Sequence, residues 1–121
     1  MPVFSRVRDG ILVLTVDGDY TANELRRVGL SAFEANSTPQ RIPVLLDLSG
    51  AAGLARKSPA DIADTGVIFA GFRDRLTGIA VVAAQDVLHL FDERSGFASA
   101  TGVKVQACSS HADARDWLLE A

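Results

Sequence analysis

The run Val44-Leu45-Leu46-Asp47-Leu48, closed by Ser49-Gly50, constrains the fold more than any other stretch of the chain. A short apolar run ended by a turn signal reads as a strand buried on both faces. Ile79-Ala80-Val81-Val82-Ala83 has the same character. Two such strands separated by a helical pattern call for a parallel sheet with helices packed on it. In an open sheet of that kind, ligands and partners meet the carboxyl ends of the strands. The segment after Leu48 is therefore the first place to look for chemistry. It reads Ala51-Ala52-Gly53-Leu54-Ala55, with no nucleophile, base or metal ligand.

The remaining elements follow from local signals. Val3 to Arg8 and Ile11 to Val16 are strand-like runs joined by Asp9-Gly10, a dipeptide suited to a two-residue hairpin turn. Thr21 and Glu24 form a capping box for a first helix, with Leu25, Val28, Ala32 and Phe33 on one face. Asn36 to Pro43 ends that helix. Ser58, Pro59 and Asp61 open a second helix as cap, first and third positions, and its pattern runs to about Leu76. A third helix is expected over Asp86 to Ala100 and stops at Gly102; Val103 to Cys108 alternates as a half-covered strand. Ser110 caps a last helix whose inward face is Ala114, Trp117 and Leu118. The order β-β-α-β-α-β-α-β-α predicts an α/β domain. Its mixed five-stranded sheet has an N-terminal antiparallel hairpin, mostly parallel strands thereafter, and a cover of about four helices.

Length and composition narrow the function classes. The 121 residues suit one domain spanning the chain, large enough to build its own core. A net charge of −3 argues against nucleic acid, whose phosphates demand a concentrated basic face. Arg26-Arg27 and Arg56-Lys57 are the densest basic pairs and read as solvated surface. Cys108 stands alone, which excludes an intramolecular disulfide and a multi-cysteine metal site and suits a reducing cytoplasm. The start Met1-Pro2-Val3-Phe4-Ser5-Arg6 lacks a secretion-signal pattern, and no apolar run reaches the roughly 20 residues of a membrane helix. A cytoplasmic protein is expected.

The order of elements resembles the STAS superfamily, domains related to bacterial anti-sigma factor antagonists, and in particular its SpoIIAA-like branch, sometimes grouped with the Sec14 lipid-binding fold. The carriers are the hairpin at Asp9-Gly10, Val44 to Gly50, Gly78 to Val82, and Ala112-Asp113-Ala114-Arg115-Asp116-Trp117-Leu118. The resemblance implies a regulatory module that binds a kinase-like partner and is switched by phosphorylation of a serine in an Asp-Ser-Ser/Thr-Gly-Leu motif. This chain departs from that motif, carrying Ala51-Ala52-Gly53-Leu54 in its place. Ser49 and Ser58 are the nearby hydroxyls that could inherit the switch.

Each candidate has two readings. Ser58 either receives phosphate at a helix N-terminus, where negative charge is welcome, or caps the helix. Ser49 either accepts phosphate or supports its loop. Asp47 is an acid–base or metal group at a strand end, or it closes a turn hydrogen bond. His89 and His111 lack zinc-type spacing and read as helix-surface residues. Cys108 reads as an inert buried thiol, and no glycine-rich loop implies a nucleotide cofactor. The second helix is broadly apolar, with Ile62, Val67, Ile68, Phe69, Phe72 and Leu76. With Leu54 before it, it implies surface left for an unidentified protein partner, a homodimer, or a hydrophobic ligand in a pocket beneath. Phe69 and Phe72 are the expected anchors. The expected function is a non-enzymatic, regulatory protein-interaction module; a small-molecule or lipid-binding domain is the alternative.

Overall fold

A computed structural model describes residues 3–35 and 40–120 of the chain. The expected loop over Asn36 to Pro43 lies in part outside them. Strands β1 (Val3–Arg8) and β2 (Ile11–Gly18) form the expected antiparallel hairpin. Its turn places Asp9 at φ 55° and Gly10 at φ 78°, the two positive values that a primed turn requires. Helix α1 (Ala22–Glu34) begins at a complete capping box between Thr21 and Glu24. β3 (Ile42–Ala51), β4 (Leu76–Val82) and β5 (Val105–Cys108) then add in parallel, giving the sheet order β1-β2-β3-β4-β5.

That order decides where the helices go. Each new parallel strand is laid on the same side of the last, so crossovers of one hand must all pass over one face. Accordingly α1, α2 (Pro59–Ala70) and α3 (Gly96–Thr101) share a core with Leu12, Leu14, Val16, Val44, Leu46, Leu48, Ile79, Val81 and Val105. Among the described residues only α4 (His111–Glu120), which follows the last strand, covers the other face. It packs Ala114 and Leu118, with Trp117 alongside, on Ile11, Val13, Leu45, Ala80, Val82 and Cys108.

Besides shifts of two or three residues at the ends of β2, β4 and β5, four boundaries differ from expectation. β3 does not end at Leu48 but runs through a register shift against β2 to Ala51. It also starts earlier, at Ile42. Pro43 is tolerated inside it because the register with β4 slips between Ile42 and Val44, where a missing N–H costs no ladder bond. α2 stops at Ala70 and not near Leu76. Gly71 ends it, its N–H shared between the carbonyls of Val67 and Ile68, and a 3-10 turn over Arg73–Arg75 leads directly into β4. The single helix expected over Asp86 to Ala100 is two pieces. A 3-10 segment (Gln85–Phe91) is followed by α3, because Asp92 accepts from the Arg94 N–H at 2.9 Å and Ser95 then caps a new start.

α2 lies close on α3. A Cβ added at Gly66 would stand 2.5 Å from the Phe97 carbonyl oxygen, so only glycine permits this approach. Beneath the two helices the rings of Phe69 and Phe91 each meet Phe97 edge-on, at centroid distances of 6.3 and 5.2 Å. Among the described residues, no helix is long and apolar enough to cross a membrane.

Candidate functional site

At the tip of β3 the shift in register turns the backbone of Ser49 back on Asp47. The Ser49 N–H donates to Asp47 Oδ1 at 2.9 Å and the Ser49 hydroxyl to the same oxygen at 2.6 Å. The other carboxylate oxygen, Oδ2, lies 2.7 Å from His111 Nε2 in the first turn of α4. Asp47 points to this side because it shares strand parity with Leu45, the face that α4 covers. Burial pushes the Asp47 carboxyl pKa up. Hydrogen bonds from the Ser49 hydroxyl, His111 and the Ser49 backbone, with the imidazole's charge, outweigh that and hold it below 3.8.

These three groups do not form a nucleophilic relay. In such a relay an imidazole stands between serine and carboxylate and takes the serine proton. Here the carboxylate stands between, and the serine donates to it directly. Among the described residues no third histidine, cysteine, aspartate or glutamate joins Asp47 and His111 in a metal-binding group. The arrangement fastens the start of α4 to the centre of the sheet. Of the two sequence readings of Asp47, closing a turn is the one its bonds make, and His111 is a residue that sequence reasoning missed.

The two serines weighed as phosphate acceptors are both engaged in the bonds of the other reading. Ser58 Oγ accepts from the Asp61 N–H at 3.1 Å, while Asp61 Oδ2 accepts from the Ser58 N–H at 3.3 Å. A phosphoryl group on Ser58 would remove this box and face the Asp61 carboxylate, a like-charge contact that disfavours it. One on Ser49 would stand beside Asp47. Leu54 and Phe69 are corrections: they are 5% and 1% exposed and belong to the three-helix core, so neither presents a side chain to a partner. Leu54 tucks inward because Gly53, at φ 74°, turns the loop back into a short 3-10 turn. Phe69 sits on the sheet side of α2.

Phe72 is different. Its ring lies over Gly29 and 4.7 Å from the Phe33 ring, wedged between α1 and the end of α2. There it floors an open groove formed by two adjoining hollows of about 410 and 430 Å³. Val67, Ile68 and Leu30 line the groove, and Asn23, Arg26 and Arg27 stand along its α1 side. Val67 and Leu30 are 58% and 45% exposed. Arg26 and Arg27, which read as ordinary surface, thus flank an apolar strip. The tips of the strands offer less. Strand order never reverses along this sheet, so no crevice opens between diverging connections at the carboxyl ends.

No protein-family model matches the chain, and no curated protein does. Among solved structures it is similar to an uncharacterized protein of the DUF3478 family with a SpoIIAA-like fold from Shewanella loihica PV-4. The two share 17% of aligned residues at a TM-score of 0.63, over 96% of this chain and 91% of the other. Sheet order, hairpin and helix placement thus agree with a solved protein at low sequence identity, and the chain has a SpoIIAA-like fold.

Proposed function

We propose that this domain is a cytoplasmic, non-catalytic interaction module that receives an acidic amphipathic segment of a regulatory partner in the groove between α1 and α2. The observation that carries this reading is the groove itself. Leu30, Val67, Ile68 and Phe72 give it an apolar floor and walls, and Arg26 and Arg27 give it a cationic margin. An amphipathic helix laid in such a groove contributes apolar anchors at helical spacing, and acidic residues at its margin pair with the arginines. Phe72 is the best-placed anchor, since its ring is fixed from below by Gly29 and Phe33 and half-open above. The resemblance to anti-sigma factor antagonists implies the same kind of work, docking without turnover. The alternative of a lipid pocket beneath α2 has less support, because the Phe69, Phe91 and Phe97 rings occupy that space.

The test is site-specific photocrosslinking in cells. A benzophenone side chain at position 67 is expected to give a discrete adduct with another protein. That adduct should vanish in the Leu30→Asp background and be missing when the probe sits at exposed Gln106 on β5. Equal labelling from both positions, or none from position 67, rejects the groove. An adduct of twice the chain's mass replaces the outside partner with a second copy.

A further inference from the structure

We propose that the cleft between the β1–β2 hairpin and α4, on the face opposite the α1/α2 groove, binds a small organic anion: a carboxylate or phosphate group on a short aliphatic stem. The cleft is built from two periodicities. Arg6 and Arg8 alternate along β1, opposite Val13 and Ile11, and so stand on one side of the strand. His111 and Arg115 are four apart on α4 and so share its face. Between these walls lies a hollow of about 110 Å³ floored by Ile11, Val13 and Leu45. That is room for roughly four waters' volume, the size of a short-chain carboxylate or one phosphate group.

The charge around it is unusual for this protein. Three guanidinium groups share one carboxylate, Asp9, while the His111 imidazole is taken up by Asp47, on a chain whose net charge is −3. Asp9 is already committed. It lies 3.1 Å from Arg115 Nη2 and 4.0 Å from Arg8 Nε, and its place in the hairpin turn fixes it there. Arg6 has neither a hydrogen-bond nor an ion-pair partner among the described residues. All three arginines are open to solvent, which screens their repulsion, and an anion in the cleft would give Arg6 the partner it lacks. Guanidinium groups suit that task, since they offer paired donors matched to carboxylate and phosphate oxygens. The floor is 5% exposed or less at each of its three residues, so the stem of a ligand would meet only a narrow apolar edge, chiefly of Val13.

The experiment is an NMR titration of the whole isotope-labelled chain with sodium butyrate and with inorganic phosphate, each against sodium chloride at equal ionic strength. The expected result is saturable movement of the Arg6, Arg8 and Arg115 Nε–H signals and of the amides of Asp9, Val13 and His111, with a Kd on the order of 1 mM for a ligand this small. Arg6→Gln and, separately, Arg8→Gln should each weaken binding about tenfold, as loss of one charge-assisted pair does. Tighter binding of butyrate assigns the gain to the apolar floor, and tighter binding of phosphate assigns it to the oxyanion alone; both support the site. Equal shifts with chloride, shifts spread over Arg26 and Arg27, or binding unchanged in both variants would mean an adventitious ion only and overturn the proposal. If the arginines serve only to protect the β1 edge, the variants self-associate and the titrations do not change.

Discussion

The two faces of the sheet are made from the same strands yet solve different problems. One carries three helices, a cluster of phenylalanines and a glycine contact between α2 and α3. The other carries α4 as its one helix among the described residues, and polar groups do part of the fastening: Asp47 to His111, Asp9 to Arg115. The difference comes from connectivity. Crossovers of one hand in a sheet that grows in one direction load one face and leave the other to whatever follows the last strand. The lesson is that stability is concentrated on the crowded side. The sparse side has room between the hairpin and α4 for a polar cleft.

Core truncations test that contrast most severely. Phe97→Ala, which empties the junction of three rings on the crowded face, is expected to cost about 3–5 kcal/mol in chemical denaturation. Leu118→Ala on the sparse face should fall at the lower end of the leucine range, about 2–3 kcal/mol. Equal losses at the two sites would erase the distinction. Gly66→Ala adds only a methyl group, but places it against the Phe97 backbone. Roughly 1–3 kcal/mol should be lost, with the unfolding slope unchanged.

Asp47→Asn probes the polar fastening. At neutral pH it should cost about 1–3 kcal/mol, since three donors lose a charged acceptor. The pH dependence has a definite sign. A carboxyl held below 3.8 in the folded state stabilises fully above its unfolded value of about 3.9, and that contribution disappears as pH falls through the folded value. Denaturation midpoints of the native protein and of Asp47→Asn should therefore stay apart down to about pH 5, begin to draw together near about 4, and meet only once the pH has fallen through the folded value. A gap that persists at pH 2 would show that shape, not charge, is what asparagine lost. The smallest expected effect belongs to the groove. Leu30→Asp, on exposed surface, should change stability by less than about 0.5 kcal/mol while abolishing the crosslink from position 67.

Local chemistry was legible in the sequence and long-range pairing was not. Thr21 with Glu24, Ser58 with Asp61, and Asp9-Gly10 each act within four residues, and all three behave as read. The break at Asp92 to Ser95 was written in residues that bond their own backbone, yet the apolar spacing around it reads as one helix. Phe69 and Phe72 look alike in a broad apolar pattern. Only the helix end at Gly71, which frees Phe72 to turn toward α1, separates a core ring from a groove ring. His111 pairs with a residue 64 positions away, and no periodicity carries that information. A usable signal was present for the arginine cleft: Arg6 and Arg8 two apart on a strand, His111 and Arg115 four apart on a helix. What was missing was the sheet order that brings strand and helix together.

α4 is the last of these elements to leave the ribosome, and among the described residues it is the one helix packed over Ile11, Val13, Leu45, Ala80 and Val82. Until it emerges, a nascent chain with every strand paired would still present one greasy side of its sheet to the cell. The ties from His111 to Asp47 and from Arg115 to Asp9 then work as a closing latch, and synthesis that stalls before them leaves a species that chaperones should recognise.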